Sequence, residues 1–449
     1  MQATIEQLLN KNADKKEYLQ TLKETWSILQ PVLQENEHYR KLKIFERLAE
    51  PERTVSFRVT WLDRNGDVQV NKGYRVQMNS AIGPYKGGLR FHPSVNESIL
   101  NFLAFEQIFK NALTGLPLGA AKGGADFNPK GRNDQEVMNF CQSFIGELYR
   151  HIGTRVDIPA GDIGVGQREI GYMFGLYKKL KNEFSGSLTG KGASWGGSLV
   201  RSEATGYGLV FFAENMLKNQ SESLQGKRCV VSGAGNVALY AMEKIIDLGG
   251  KPVTASDSSG FIYDEEGINQ DKLQHIKEIK LQKRGRIREY TQKYPDAIYT
   301  EKDRNQEENP LWQVAADCIF PCATQNEISE KDARNLVNNE ARLLAEGANM
   351  PLTAKATEVI RDSDVLYAPG KASNAGGVAV SGLEMTQNHI GVYWDKQQLE
   401  EKLQNIMHSI HDQCLDTAEQ YGYAGDYFRG ATIAGFLKVA DSMVAQGIT

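Results

Sequence analysis

Three lysines, Lys86, Lys110 and Lys122, lie within the glycine-rich stretch of residues 83–129, and Lys86 and Lys122 are each followed by two glycines. Lysine is usually a solvated surface residue. Glycine has no side chain, so the backbone beside these lysines would let a ligand come close to the ammonium group. Three cations brought to one cleft would suit a substrate that carries more than one carboxylate.

Lys122 and Asp162 are the candidates for chemistry on such a substrate. Burial and nearby cations would lower the pKa of Lys122, which could then act as a base or polarise a carbonyl near neutral pH. Asp162 shares an apolar, glycine-dense loop with Asp157, where a carboxylate is costly unless it has a partner, and Asp162 could transfer protons. Taken singly, this lysine and this aspartate would more often form a structural ion pair.

A second constellation, Gly233-x-Gly235-x-x-Ala238, has the pattern of a dinucleotide-binding turn. It follows an apolar strand pattern at residues 228–231 and opens a helical pattern, and a second strand pattern ends at Asp257, 22 residues beyond Gly235. The glycines would allow the turn and the close approach of a pyrophosphate to the helix N-terminus. A purely structural turn is the alternative, but this context favours a dinucleotide site.

The choice between NAD and NADP stays open on these residues. An acidic residue such as Asp257 at the end of the second strand normally holds a ribose 2′-hydroxyl and repels a 2′-phosphate. The flanking Ser256 and Ser258, however, could donate hydrogen bonds to a phosphate, and a basic tract follows. Its members are Lys277, Lys280, Lys283, Arg284, Arg286 and Arg288. A solvated helix face would also account for this tract.

The elements that must position these residues change character along the chain. Residues 1–50 have a helical pattern, which Pro31 should break or kink. From Thr54 an alternating pattern predicts a β-hairpin, and a capping box at residues 94–97 predicts a helix that runs to about Leu113. In this helix Gln107 and Lys110 are three residues apart and therefore share a face. Taken alone, an ordinary solvent-exposed helix face would explain this pair equally well.

Strand and helix patterns alternate after residue 200. The preceding stretch, residues 185–200, is rich in Gly and Ser and is a plausible domain boundary. The sequence therefore predicts an α/β fold with two domains, residues 1–200 and a Rossmann-type dinucleotide-binding domain at residues 201–425. Loops after the parallel strands of the second domain would build the ligand crevice.

Length and charge exclude several classes of protein. A chain of 449 residues is too long for one core and predicts about two or three domains. Its 52 basic and 56 acidic residues give a net charge of −4, which does not support binding to nucleic acid or to a membrane surface. The polar N-terminus has no apolar core of the signal-peptide kind, and no apolar run predicts a membrane span.

Cysteine and histidine positions predict neither disulfides nor a metal site. The five cysteines are odd in number and scattered, which predicts reduced thiols in a cytosolic compartment. Cys318 and Cys322 fit no zinc or redox spacing and are expected to be buried structural thiols. His408 and His411 are three residues apart in a helical pattern, but the sequence shows no third ligand, and both are expected at the surface.

Over essentially its whole length the chain resembles hexameric glutamate dehydrogenases of the bacterial type. The number, order and spacing of the shared motifs carry this resemblance. They are GPYKGGLRFHPSVN (83–96), LPLGAAKGGADFNP (116–129), DIPAGDIGVG (157–166), RSEATGYG (201–208), GAGNVA (233–238), PCATQNEI (321–328), AEGANMP (345–351) and APGKASNAGGVAVSGLEM (368–385). One departure is Ala120, where the family often has a second glycine before the catalytic lysine, and a small residue is kept there.

The resemblance implies a role for each matching residue. The catalytic residues would be Lys122 and its proton-transfer partner Asp162. The substrate would be held at its side-chain carboxylate by Lys86 and Ser381, at its α-carboxylate by Lys110 and Gln107, and in addition by Arg201. The cofactor would contact Thr205, Gly233, Gly235, Asn236, Val237, Ser256, Asp257, Ser258, Lys280, Asn326, Asn349 and Asn374.

The resemblance also implies the reaction, which is the reversible reductive amination of 2-oxoglutarate with ammonia to L-glutamate through an iminium. It favours NADP over NAD, because residues 256–258 look like those of NADP-linked biosynthetic members. The alternatives are an NAD-linked glutamate dehydrogenase, a branched-chain or aromatic amino-acid dehydrogenase of the same fold, or a catalytically inactive regulatory protein. An apolar substrate would need apolar residues where Lys86 and Ser381 lie, and an inactive protein would usually lack a chemical residue.

The resemblance further implies a cytoplasmic homohexamer in nitrogen assimilation. Its first domain would bind the substrate and form the oligomer, with the first 60 residues as a candidate interface and the C-terminal helix at residues 426–449 completing the domain. A cleft between the two domains would hold the reactants. No nucleic acid or membrane partner is expected.

Overall fold

The computed structural model describes residues 2–303 and 308–449, which form two compact units. Unit 1 comprises the described residues up to Arg201, with Val378–Leu399 and Thr432–Thr449. Unit 2 comprises the described residues of Ser202–Gly377 and of Glu400–Ala431. The sequence places residues 201–425 in one domain, whereas the structure places Val378–Leu399 in unit 1, because its Glu384 forms an ion pair with Lys191 there.

Unit 1 contains seven complete helices and five strands among its described residues. The helices are α1 (Gln2–Lys11), α2 (Lys16–Glu35), α3 (Glu37–Lys41), α4 (Ile44–Ala49), α5 (Glu97–Leu113), α6 (Asp134–Leu148) and α7 (Gln167–Lys181). The strands are β1 (Arg53–Leu62), β2 (Val68–Asn79), β3 (Tyr85–Phe91), β4 (Ala120–Ala125) and β5 (Asp157–Gly161).

The five strands of unit 1 form one mixed sheet in the order β1-β2-β4-β3-β5. Strands β1 and β2 form the predicted antiparallel hairpin, and β4, β3 and β5 run parallel to one another. A core of aromatic and aliphatic side chains from α6 and α7 covers one sheet face and includes Leu89 and Phe91. Helix α5 packs against β2 and β4.

Unit 2 alternates strands and helices. Its helices are α8 (Ala204–Asn219), α9 (Asn236–Asp247), α10 (Gln270–Lys277), α11 (Tyr290–Lys293), α12 (Glu330–Asn338), α13 (Ala354–Arg361) and α14 (Gly370–Ser373). Its strands are β6 (Arg228–Val231), β7 (Lys251–Pro252), β8 (Thr254–Asp257), β9 (Gly260–Tyr263), β10 (Ile298–Glu301), β11 (Cys318–Phe320), β12 (Leu343–Ala345) and β13 (Leu366–Ala368). Helices with residues in both units are α15 (Gly376–Ile390), α16 (Lys396–Gln420) and α17 (Tyr427–Gln446).

The main sheet of unit 2 is parallel throughout, in the order β13-β12-β11-β6-β7. Strand β6 therefore has β7 on one side and β11 on the other, which is the switch point where a doubly wound sheet binds ligands. Strands β8, β9 and β10 form a separate antiparallel sheet. The α/β fold with a Rossmann-type second unit is confirmed.

Three local predictions are wrong. Helix α2 continues through Pro31, so the predicted break does not occur, because buried Leu29 and Val32 hold the helix against its neighbours. The N-cap of α5 is Asn96, whose side chain accepts a hydrogen bond from the Ile99 backbone at 3.0 Å, so no capping box starts at Ser94. His411 is buried rather than at the surface, because its ring packs against Phe212.

The thiol prediction agrees with the structure, since all five cysteines are free and buried. Within the described residues no helix is long and apolar enough to cross a membrane.

Candidate active site

Lys86 and Lys122 project from the same face of the unit 1 sheet. Strands β3 and β4 are parallel, and Leu89 pairs with Gly123. Gly88 and Lys122, which precede these two residues, therefore lie side by side on the opposite face of the sheet. Side chains two residues apart on a strand share a face, which places Lys86 on the face of Gly88 and hence of Lys122.

Lys122 forms a buried ion pair with Asp162. The Lys122 Nζ lies 3.2 Å from Asp162 Oδ1, and the Nε of Arg90 donates to Asp162 Oδ2 at 2.7 Å. Burial lowers the pKa of Lys122, and although Asp162 opposes this shift, Arg90 adds to it. Burial alone would raise the pKa of Asp162, but Lys122 and Arg90 lower it to about 2. Asp162 is therefore an ionised acceptor with two cationic donors.

The two glycines after Lys86 allow close packing within the protein itself. A Cβ on Gly88 would lie 2.8 Å from the Asp162 Cβ and 3.3 Å from the Lys122 Nζ. A Cβ on Gly87 would lie 1.7 Å from the Ala121 carbonyl oxygen. Both positions must be glycine because adjacent strands and the ion pair occupy the space of a side chain.

Arg75 and Asp157 brace the other face of the same sheet. Both side chains are fully buried, and the Arg75 Nε donates to Asp157 Oδ2 at 2.9 Å while its Nη2 donates to Oδ1 at 2.5 Å. The Arg75 side chain crosses β4 because Gly123 has no side chain in its way, and its Nη1 donates to the Gly87 carbonyl on β3 at 3.1 Å. Asp157 thus has the buried partner that its apolar loop requires.

Lys86 heads a chain of three polar side chains. Its Nζ donates to Thr189 Oγ1 at 2.8 Å, and Thr189 Oγ1 lies 2.5 Å from Ser381 Oγ. Burial lowers the pKa of Lys86 well below its usual value, and the nearby Arg201 guanidinium lowers it further. A buried ammonium whose nearest partner is a hydroxyl favours an anionic ligand, which would restore the charge balance.

Arg201 and Glu384 extend this electrostatic environment. The Nε of Arg201 is buried and has no hydrogen-bond partner among the described residues. Burial lowers the pKa of Arg201, and the charge of Glu384 counters that shift. An unpaired buried donor beside the ammonium of Lys86 is a second feature that suits a carboxylate ligand.

Glu384 fixes the segment that carries Thr189. Its Oε1 lies 2.9 Å from the Nζ of Lys191, and its Oε2 accepts from the backbone N–H of Gly190 at 2.9 Å. Both charged side chains are fully buried. Because Glu384 is three residues after Ser381 on α15, this pair holds in place both Thr189, the partner of Lys86, and Ser381, the partner of Thr189.

We expect Glu384→Gln to lower the free energy of unfolding by about 3 kcal/mol, because it leaves the buried Lys191 ammonium without its counter-charge. The measurement is the urea midpoint of unit 1 unfolding, followed by Trp195 fluorescence after replacing the other tryptophans. The matched control is Glu37→Gln, which breaks the exposed Lys41–Glu37 pair. It should cost less than about 1 kcal/mol. Equal effects would show that Lys191 does not depend on Glu384.

Helix α5 adds Gln107 and Lys110 to unit 1. Gln107 is buried, and its Nε2 donates to Asn111 Oδ1 at 2.6 Å. Asn111 in turn donates to the backbone carbonyls of Lys86 at 3.0 Å and Gly119. Lys110 is half-buried in the last turn of the helix. Asn111 therefore ties α5, with both predicted residues, to the strand that carries Lys86.

The dinucleotide fingerprint of unit 2 has the backbone that the sequence predicts. Gly233 has φ +89°, and its N–H donates to the Ser256 Oγ at 2.7 Å. Gly235 is the N-cap of α9, and a Cβ there would meet nothing within 4 Å. Asn236 is exposed and Val237 half-buried at the start of this helix. The helix N-terminus is thus open to an anion such as a pyrophosphate.

The predicted asparagines follow the carboxyl ends of neighbouring parallel strands. Asn326 follows β11 with φ +52°, and its backbone N–H donates to the Met350 carbonyl at 2.9 Å. Asn349 follows β12, and its Oδ1 accepts from the Nδ2 of Asn374, which follows β13, at 3.1 Å. Thr205 is half-buried in the first turn of α8. The structure therefore groups the three asparagines at the edge where α9 begins.

Asp257 is engaged by the protein itself. Its Oδ2 accepts from Lys280 Nζ at 2.8 Å and from the Ile287 backbone at 2.9 Å, and its Oδ1 accepts from Ser259. Burial alone would raise the pKa of Asp257, but Lys280 and these other donors lower it to about 2. Lys280 lies in one turn of π-helix, Glu278–Gln282, and neutralises the acidic residue that would repel a phosphate.

A basic pocket lies beside Asp257. Its volume is about 320 Å³, and the Nη1 of Arg286 donates to the Ser258 Oγ at 2.8 Å. The pocket is lined by Ser258, Ser259, Arg286, Arg288, Glu301 and Lys302. Three cations against one carboxylate make this pocket suitable for a phosphate.

The structure thus forms two groups from the predicted residues, one in each unit. Sequence reasoning missed Thr189 and Arg90, which contact the predicted Lys86 and Asp162 directly. It also missed Glu384, which holds the segment next to Thr189 through Gly190 and Lys191. Thr189 lies in the Gly- and Ser-rich residues 185–200, which predict a domain boundary, so no local signal marks it as a site residue. Arg90 could have been found, because it is two residues after Gly88 on the same strand face as Lys86.

Comparison with known proteins identifies the family. Residues 51–179 match the model of the Glu/Leu/Phe/Val dehydrogenase dimerisation domain, and residues 196–447 match that of Glutamate/Leucine/Phenylalanine/Valine dehydrogenase. The NADP-specific glutamate dehydrogenase of Giardia intestinalis is 53% identical over 99% of both chains. The NAD(P)-specific glutamate dehydrogenase of Xylanibacter ruminicola is 54% identical over 100% of both.

A solved structure agrees with these relatives. The crystal structure of Plasmodium falciparum glutamate dehydrogenase has a TM-score of 0.96 and 48% identity, covering 100% of this chain and 94% of that one. The resemblance inferred from the motifs is confirmed. The chain belongs to the glutamate/leucine/phenylalanine/valine dehydrogenase family.

Proposed function

We propose that this protein is an NADP-dependent glutamate dehydrogenase, which converts 2-oxoglutarate, ammonia and NADPH into L-glutamate and runs reversibly. The observation that carries the proposal is the pairing, on one sheet face, of the Lys122–Asp162 ion pair with the buried chain Lys86–Thr189–Ser381. The first pair suits chemistry at a carbonyl, and the second suits a remote carboxylate. The full-length relatives named as glutamate dehydrogenases support the same assignment.

The substrate's two carboxylates are assigned to different side chains. Lys86 and Ser381 bind the side-chain carboxylate, and Arg201 supplies a buried donor nearby. Lys110, positioned with Gln107 on α5, binds the α-carboxylate. Holding both ends of a five-carbon dicarboxylate fixes the ketone carbon relative to Lys122, and such positioning supplies a large part of the rate enhancement.

Lys122 and Asp162 handle the protons of the reaction. The Lys122 ammonium hydrogen-bonds the ketone oxygen and makes the carbon more electrophilic as ammonia adds. Lys122 gives a proton to the oxygen to form a hydroxyl. Asp162, ionised because its pKa is held at about 2 by its cationic partners, accepts a proton from the added nitrogen and returns it to this hydroxyl, which leaves as water. Solvent then reprotonates Lys122. The product of these steps is an iminium at the former ketone carbon.

The residues of unit 2 fit the cofactor. Gly235 and Asn236 leave the N-terminus of α9 open for the pyrophosphate, and Asn326, Asn349 and Asn374 lie at the same edge of the sheet. When bound, NADPH supplies the hydride that reduces the iminium carbon. Arg286 and Ser258 provide donors for the 2′-phosphate, while Lys280 removes the repulsion from Asp257. Thr205, Val237, Gly233 and Ser256 support this binding.

The test of the proposal is the initial rate of NADPH oxidation with 2-oxoglutarate, measured with and without ammonia. We expect oxidation only when both are present. A faster rate with 2-oxoisocaproate would instead indicate an apolar amino-acid dehydrogenase and would refute the assignment of Lys86. Absence of turnover with every 2-oxo acid, by a folded protein, would indicate a regulatory protein on the same scaffold.

For the cofactor, we expect Arg286→Ala to lower kcat/KM for NADPH by about 10-fold to 100-fold, because a charged hydrogen bond to the 2′-phosphate is lost. The value for NADH should change less than about twofold, since NADH has no such phosphate. Lys283→Ala is the matched control, as Lys283 is exposed and does not line the pocket. Equal losses for both cofactors would place Arg286 outside phosphate recognition.

We also infer a cytoplasmic homohexamer. Leu62, Val68 and Val70 are exposed apolar residues on the β1–β2 hairpin, within the region that matches the dimerisation-domain model. A related structure is described as a hetero-hexameric glutamate dehydrogenase from Thermus thermophilus. Light scattering coupled to size-exclusion chromatography measures the mass directly, and a monomer would contradict the inference.

A further inference from the structure

Two histidines and an aspartate converge on one face of α16. His408 and Asp412 are four residues apart, and His408 Nε2 lies 3.3 Å from Asp412 Oδ2. His411 Nδ1 lies 2.9 Å from Asp412 Oδ1. One ligand atom from each of the three residues can be chosen so that all lie within 4.8 Å of one another. The sequence shows the two histidines, but not that Asp412 joins them.

We propose that His408, His411 and Asp412 bind a divalent transition-metal ion of the Zn²⁺, Co²⁺ or Ni²⁺ class. Zn²⁺ binds nitrogen and oxygen ligands at about 2.0–2.2 Å, so two ligands of one tetrahedral ion lie about 3.3 Å apart. The distance from His408 Nε2 to Asp412 Oδ2, 3.3 Å, matches that value, and the distance from His411 Nδ1 to Asp412 Oδ1, 2.9 Å, is somewhat shorter. Each imidazole thus faces a different oxygen of the same carboxylate. Small rotations of the exposed His408 and Asp412 side chains would bring the ligand nitrogens of His408 and His411 to the same separation.

His411 is oriented before any ion arrives. Its Nε2 lies 3.0 Å from the Tyr427 hydroxyl, and its ring packs against Phe212 and Tyr427. Without an ion, the Nδ1–H of His411 donates to Asp412 Oδ1, because a carboxylate can only accept, and the Tyr427 hydroxyl donates to Nε2. When an ion binds Nδ1, the proton moves to Nε2, which then donates to the Tyr427 oxygen. Metal-binding histidines commonly have such a partner on the second ring nitrogen, because it fixes both the tautomer and the ring orientation.

The other two ligands leave the site accessible. The side chains of His408 and Asp412 are 62% and 47% exposed, whereas that of His411 is 5% exposed. One buried, oriented ligand and two accessible ones allow an ion to enter from solvent and to keep water in its remaining positions. Two imidazoles with one carboxylate favour borderline transition metals over Mg²⁺ or Ca²⁺, which prefer oxygen ligands.

The test is calorimetric titration of the full-length protein with Zn²⁺, without substrate or cofactor, alongside the absorption spectrum of the Co²⁺ form. We expect one ion per chain and a Co²⁺ spectrum characteristic of nitrogen and oxygen ligands. His408→Ala and Asp412→Asn should each weaken binding by more than about tenfold. Both positions are exposed, so these variants should fold, and their thermal midpoints without metal should match that of the parent.

His389→Ala is the matched control, since His389 is exposed on α15 and is not part of this cluster. It should bind Zn²⁺ as the parent protein does. Zn²⁺ should also raise the thermal midpoint of the parent and of His389→Ala, but not of the two ligand variants. Absence of binding by the parent protein would overturn the proposal, as would an affinity of His408→Ala and Asp412→Asn equal to that of the parent.

Discussion

Replacing Lys122 by alanine is expected to lower kcat by about 10³-fold to 10⁴-fold, while NADPH binding changes less than about twofold. The substitution removes the cation proposed to hydrogen-bond the ketone oxygen as the tetrahedral intermediate forms. It should not unfold the protein, because Asp162 keeps its 2.7 Å hydrogen bond from Arg90. The measurements are steady-state rates with saturating 2-oxoglutarate and ammonia, and NADPH affinity by fluorescence titration.

Two controls make the Lys122 result specific. Lys130→Ala changes an exposed lysine of the same unit and should retain parental kcat. Asp162→Asn should also lower kcat by about 10²-fold or more, because it removes the proton acceptor. If Lys122→Ala loses less than about tenfold, Lys122 is a structural partner of Asp162 and the proposed chemistry is wrong.

Replacing Lys86 by methionine is expected to lower kcat/KM for 2-oxoglutarate by about 10³-fold, because the substrate's side-chain carboxylate would be buried without its counter-charge. Methionine has a similar length and no charge, so the same change should leave kcat/KM for 2-oxoisocaproate unchanged or higher. Stability should not fall, because burial already disfavours the charged form of Lys86. The ratio of the two kcat/KM values is the measurement.

The control for this specificity change is Lys179→Met, an exposed position on α7 in the same unit. It should keep the parental preference for 2-oxoglutarate. An equal fall for both substrates in Lys86→Met would show that Lys86 holds Thr189 and Ser381 in place without contacting the substrate. In that case Arg201, with its unpaired Nε, becomes the better candidate for the side-chain carboxylate.

Much of the fold could be predicted because its signals are local. The β1–β2 hairpin follows from an alternating pattern. The turn between β6 and α9 follows from its glycines, of which Gly233 has a positive φ that other residues rarely adopt. Local signals also misled in places. Pro31 lies inside α2, since tertiary packing of the buried helix face outweighs the propensity of one residue.

The candidate site was predicted less completely. Lys86, Lys122 and Asp162 stand out in the sequence because charged residues among glycines need an explanation. Thr189, which bonds Lys86, and Glu384, which bonds Lys191, do not stand out, because they lie 103 and 193 residues from those partners. Contacts over such separations depend on which strands and helices become neighbours, which no local pattern states.

By itself, the sequence determined the α/β class, the dinucleotide fingerprint and the set of lysines available for a dicarboxylate. It did so because backbone constraints at glycine and the period of apolar residues act over a few neighbours. Only the tertiary structure decided that a neighbouring strand and the Lys122–Asp162 ion pair pack against Gly87 and Gly88. It also decided that Asp257 is neutralised by Lys280, and that Lys86 donates to a hydroxyl rather than to a carboxylate. Those outcomes depend on distances between elements that are far apart in the sequence, and these distances are fixed only when the chain folds.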